Sequence, residues 1–187
     1  DNISELINGV CTKALAENPD FSEGTKALCY HGLGHGLMYI TVSDLKKSLD
    51  FCDMLQTPSE SSECYSGVFM EYKTSKAIGV LDNDKNLDDF TQCLNLTSHQ
   101  KDSCFLTQGL NYLSLAQGDV KEAMQYCSKV PTEYVHQCYI GVGANSPSPG
   151  RSHRDSALAC EPARDISVDA YQACIQGSLG FVAQLDR

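Results

Sequence analysis

The 187-residue sequence predicts an all-α protein: a solenoid-like stack of about five αα-hairpin repeats, each clamped by a disulfide. Three observations lead there. The ten cysteines fall into five pairs, Cys11 and Cys29, Cys52 and Cys64, Cys93 and Cys104, Cys127 and Cys138, Cys160 and Cys174. The second cysteines of successive pairs are 35, 40, 34 and 36 residues apart, a period in the range of stacked helix pairs. Each second cysteine also opens an apolar segment with a recurring signature. An aromatic follows it directly in Tyr30, Tyr65, Phe105 and Tyr139, and glycine stands three residues after it in Gly32, Gly67, Gly141 and Gly177.

The first helix of a pair is legible in Ser43 to Cys52 and in Asp119 to Cys127. Each stretch opens with a polar residue able to accept from free backbone N–H groups and then places apolar residues at helical intervals. Polar connections follow, such as Thr57-Pro58-Ser59-Glu60-Ser61-Ser62, where proline and serine favour a turn. In the second helix the recurring glycine, set on the inner face, would let a neighbouring backbone approach closely. Pairing each cysteine with its local partner is the economical connectivity, and each closed loop would add roughly 3 kcal/mol by restricting the unfolded chain. Ten cysteines admit other pairings, and spacing alone leaves them open.

Two stretches break the pattern. Tyr72 to Asn86 reads as a polar insertion, which accounts for the longest spacing, and Asn145 to Ser152 reads as a surface loop. Neither is long enough to be a domain boundary, so the whole of 1–187 is expected to form one disulfide-rich domain.

Charge and cysteine usage restrict the setting. A formal net charge of -10 argues against nucleic acid or an anionic membrane surface as partner. No apolar run approaches the length needed to span a bilayer. The density of cysteine points to an oxidising compartment, extracellular or periplasmic. The opening at Asp1, with neither Met nor an apolar leader, is read as that of a processed secreted chain. Asn2 and Asn95 each begin an N-glycosylation triplet.

The period, the small first-helix segment Lys121-Glu122-Ala123-Met124-Gln125-Tyr126-Cys127 and the Cys-aromatic-x-Gly start of the second helix together resemble Sel1-like, tetratricopeptide-like repeat proteins. The likeness is greatest to secreted bacterial cysteine-rich members whose helix pairs are each clamped by a disulfide. The cysteines of a pair stand farther apart here, and the Gly-x-Gly-Val turn after the second helix is absent from most repeats. The resemblance implies an interaction scaffold without catalysis, binding a protein partner or associating with itself, end to end into a filament in the extreme case.

Within Cys29-Tyr30-His31-Gly32-Leu33-Gly34-His35-Gly36-Leu37-Met38, two residues do not recur. The positions matching His31 are Ser66, Leu106, Ile140 and Gln176, and those matching His35 are Met70, Leu110, Ala144 and Gly180. The repeat therefore does not need histidine at either place. At i and i+4 the two share a helical face, which suits two imidazoles on one metal ion, and Met38 is a candidate soft third ligand that would favour copper. Zinc and haem are the other candidate cofactors. The structural alternative is a pair of histidines hydrogen-bonded in a glycine-lined helix contact, with Met38 in the core. A small metal- or histidine-dependent enzyme is a third reading, although the glutamate that follows the first histidine in zinc-protease helices is missing. No Cys-x-x-Cys or Cys-x-x-Cys-His is present, which removes thiol oxidoreductase and covalent haem motifs. His99, His136 and His153 lie in or near polar connections and read as solvated.

Overall fold

A computed structural model describes residues 3–17, 23–77, 90–146 and 152–185. Among these residues there are ten α-helices, two short 3-10 turns and no strand, as the sequence predicts. The chain divides into two compact units, 1–86 and 87–186, with Arg187 grouped with the first.

The first unit holds α1 (Ile3–Ala16), α2 (Glu23–Ile40), α3 (Leu45–Cys52) and α4 (Pro58–Ala77). The second holds α5 (Thr91–Leu94), α6 (Ser98–Leu115), α7 (Val120–Cys127), α8 (Val135–Asn145), α9 (His153–Cys160) and α10 (Val168–Leu185). Every cysteine is in a disulfide, and each disulfide joins two consecutive helices: Cys11–Cys29, Cys52–Cys64, Cys93–Cys104, Cys127–Cys138 and Cys160–Cys174. The locally paired connectivity is thus the one adopted, and five such bridges place the chain in an oxidising compartment.

The helix boundaries follow from capping chemistry. Asp44 and Asp119 stand just before α3 and α7, and their carboxylates accept from Lys47 N and Glu122 N, each at 3.0 Å. Thr57 and Glu60 form a reciprocal box at the start of α4, and Thr97 with Gln100 does the same for α6. The turns leading into α3 and α7 are equivalent bond for bond. Ser43 N donates to Met38 O and Gly118 N to Leu113 O, closing the ends of α2 and α6. Both turns need consecutive left-handed residues, Val42 and Ser43 in one, Gln117 and Gly118 in the other. A β-branched residue at φ 56°, as Val42 is, carries steric strain.

The aromatic that follows four of the five second cysteines is buried in each case, Tyr30, Tyr65, Phe105 and Tyr139. Each reaches a neighbouring segment. Burial, then a hydrogen bond to Glu60, pushes the Tyr30 phenol up to about 12. Although burial works against it, the Glu60 carboxylate is held below its ordinary range by Lys26, Tyr30 and the Thr57 N–H. Phe105 stacks on Tyr134, with ring centroids 4.5 Å apart.

Three helix pairs, α2 with α4, α6 with α8 and α8 with α10, pack closely through glycine. A Cβ on Gly34 would stand 2.1 Å from Cys64 O, and one on Gly67 would stand 2.0 Å from His31 O. Gly109 and Gly141 meet Cys138 O and Leu106 O in the same way, and Gly143 and Gly177 meet Cys174 O and Ile140 O. Each crossing therefore uses a glycine five residues after one cysteine and a glycine three residues after the next. The approach brings carbonyl oxygens against Cα–H groups, a weak attractive contact that any side chain would block. The corresponding positions on either side of the division between the units are Phe69 and Thr107.

Two expectations are corrected. The stretch from Tyr72 does not leave the helix: α4 continues through Ala77, and Lys73, Ser75 and Lys76 are buried. Lys73 and Lys76 are buried as whole residues, so a polar composition did not end the helix. Gly32, unlike Gly67, Gly141 and Gly177, has open space where a Cβ would sit, as has Gly36. The remainder of the polar insertion and the glycosylation candidate Asn2 lie outside the described residues; Asn95 is exposed, immediately after α5.

Alanine should therefore act with opposite signs along one helix. Gly32→Ala and Gly36→Ala should each raise the unfolding free energy by about 1 kcal/mol, the ordinary gain in a helix interior. Gly34→Ala or Gly141→Ala should lower it by about 2 kcal/mol or more, since backbone must shift. Urea unfolding with the disulfides intact reads both. In the same assay Val42→Gly, which relieves the left-handed strain at an exposed site, should stabilise by about 1 kcal/mol.

Candidate metal centre

His31 and His35 lie on successive turns of α2, on the side bordering α4. The Gly34–Gly67 crossing brings the two backbones together one turn before Glu71, so that the Glu71 carboxylate reaches across from α4 to the imidazole of His35. His35 Nδ1 stands 2.9 Å from Glu71 Oε2, and His35 Nε2 stands 3.2 Å from His31 Nε2. The rings meet edge to face, with centroids 4.9 Å apart. About a third of each side chain in the His35–Glu71 pair is exposed, so the cluster sits in the surface and is open to solvent.

The hydrogen bonds assign the protons. A carboxylate only accepts, so His35 carries its proton on Nδ1 and, when neutral, presents a bare Nε2. That nitrogen accepts from His31 Nε2–H. Burial, followed by the neighbouring His35, lowers the His31 pKa below its ordinary value. The environment therefore favours neutral His31.

A separation of 3.2 Å between Nε2 atoms has a second meaning. Two imidazole nitrogens at metal–nitrogen distances of about 2.0–2.1 Å, in tetrahedral geometry, stand about 3.3 Å apart. A carboxylate on the far nitrogen of a ligating histidine is the usual outer partner that fixes its ring and tautomer. No group of three or more His, Cys, Asp and Glu placed to hold a metal occurs among the described residues. The centre thus offers two nitrogens and one orienting carboxylate.

The other expected residues are placed elsewhere. Met38 is fully buried in the core of the first unit. His99 is exposed on the first turn of α6, and His136 is an exposed residue of α8 with Nδ1 2.9 Å from Asp169 Oδ1. His153 opens α9. Glu71 was missed by sequence reasoning, yet a signal for it exists. Seven residues after the second cysteine stand Gly36, Glu71, Asn111, Asn145 and Phe181, and only one of them is acidic.

No protein-family model matches this chain, and neither does any curated protein or solved structure.

The lowered His31 pKa has a sign for stability. Its contribution is fully present above the unfolded value near 6.5 and is lost as pH falls through the lowered folded value. In metal-free protein, the urea midpoint should fall between about pH 8 and 5 by more in the wild type than in His31→Asn. Proton NMR of the imidazole C–H signals should place the His31 titration below that of a free histidine. Equal pH dependence of the two proteins would contradict the assignment.

Proposed function

We propose that this chain is a non-enzymatic, disulfide-stapled helical-repeat module of the extracellular or periplasmic space that binds a divalent transition metal through His31 and His35. One observation carries the reading: the two Nε2 atoms converge at 3.2 Å while Glu71 holds the far nitrogen of His35. Imidazole pairs of this kind suit zinc or Cu2+. Burial of Met38 takes the thioether out of the donor set, which favours the divalent ions over Cu+. Haem fits less well, because its two axial nitrogens stand on opposite sides of one iron, about 4 Å apart at twice a metal–nitrogen bond length.

A second reading, a protein-binding scaffold of the Sel1-like kind with the helix pairs stacked as a solenoid, is favoured by exposed apolar side chains on the first two helices. Leu6, Leu28, Tyr39 and Ile40 are each more than half exposed. The two readings are compatible, since a metal centre with two protein ligands has positions left for a group from a partner.

Equilibrium dialysis of untagged protein against zinc or Cu2+ at neutral pH, with metal content read by mass spectrometry, tests the metal reading. Wild type should retain metal, and His31→Ala/His35→Ala should lose it while keeping its helical circular dichroism. Glu71→Gln should weaken binding about tenfold, as expected for loss of an orienting carboxylate. Metal retained equally by the double variant, or by no form, would rule the reading out.

A further inference from the structure

The proposed centre is half complete. Zinc in a structural site takes four ligands, and this chain brings two nitrogens, with the nearest carboxylate engaged on His35. What surrounds the pair shows where the other two would enter. Leu28, Gly32, Gly36 and Tyr39 recur along α2 at helical spacing and share one exposed face, with His31 and His35 one residue before the two glycines. Nothing stands within 4 Å of where a Cβ of either glycine would be.

We propose that a second copy of this chain completes the site. Two α2 helices cross at Gly32 and Gly36, and one zinc or Cu2+ ion takes the His31–His35 pair from each copy. The inference rests on the metal reading of that pair and adds the partner.

Three facts favour a second copy. The first is what the register of Gly32 does elsewhere. Gly67, Gly141 and Gly177, also three residues after a cysteine, each receive a backbone carbonyl from a neighbouring helix. Gly32 offers the same bare position, and among the described residues no atom lies within 4 Å of where its Cβ would be. The second is charge. From Ala27 to Ser43 the chain has no Asp, Glu, Lys or Arg, so α2 itself brings no charge to its own copy, and the nearby Glu71 carboxylate is engaged on His35, in a protein whose net charge of -10 otherwise repels it. A dication at the contact reduces that repulsion further. The third concerns symmetry. A head-to-tail contact that repeated the internal crossing would need glycine five residues after Cys174, and Leu179 stands there. A twofold contact of α2 with α2 asks for small residues only on α2, where they are.

Zinc titration of the untagged full chain, followed by sedimentation velocity and equilibrium dialysis, tests the proposal. One zinc per two chains, a doubled mass, and return to the single mass on adding chelator are expected. Gly32→Leu/Gly36→Leu fills space that is open in the single chain, so it should fold with undiminished thermal stability and lose the doubled mass over the same zinc range. One zinc per chain at the single mass would overturn the second copy and leave the metal reading standing. No zinc on wild type would overturn both. A doubled mass that persists in chelator, or in the glycine variant, would overturn the metal-completed contact through α2.

Discussion

The contact on which the rest of the first unit depends is the meeting of Gly34 and Gly67 with the carbonyls of Cys64 and His31. A Cβ at either glycine would stand about 2 Å from oxygen, so the approach exists only because both side chains are absent. From that crossing the chemistry follows by counting along the helices. His35 is the residue after Gly34, and Glu71 is one turn beyond Gly67. Widening the crossing by the thickness of a methyl group would take the carboxylate out of hydrogen-bond range of the imidazole. The centre is thus set by packing some distance from any polar atom in it.

The disulfides and the crossings act on the same turns. Cys64, Cys138 and Cys174 supply the carbonyls that Gly34, Gly109 and Gly143 receive, and each is the half-cystine that ties its helix to the one before. The bridge fixes the turn whose carbonyl is used. Glycine in a helix interior costs about 1 kcal/mol against alanine. Bridges closing loops of this length contribute about 3 kcal/mol each in the chain-entropy account. At Gly34 close packing offsets the cost, whereas at Gly32 and Gly36 no described residue occupies the space a side chain would take.

Much of the fold was legible because the chain can be compared with itself. Aligning second cysteines exposed the recurring aromatics, the local pairing as the economical one and the unrepeated histidines, and the polar residue opening the Asp119 stretch is the cap observed, whereas the stretch opened at Ser43 is capped one residue later, by Asp44. Composition misled at Lys73 and Lys76, which are buried as whole residues where a run of charged letters suggests solvent. Gly32 shares the letter and register of Gly67 yet has no helix against it, because register states what a residue can do and not whether a neighbour is there. Glu71 was harder for a related reason. It is 36 residues from His35, and only the crossing makes the two adjacent.

The hydrogen bond between the histidines bears on how the site would work. In the metal-free chain, the proton between the two Nε2 atoms holds them at 3.2 Å, close to the separation one ion imposes. Replacing that proton by a metal asks His31 to move its hydrogen from Nε2 to Nδ1 and asks little of the rings. His35 needs no such change, because Glu71 already keeps its proton on the far nitrogen and its Nε2 bare. Burial, and then the neighbouring His35, disfavour protonated His31, which lessens competition from a second proton. The spacing of the two nitrogens and the tautomer of His35 are therefore set without an ion, by the crossing that brings Glu71 across from α4, and the tautomer of His31 is the one element that would have to change.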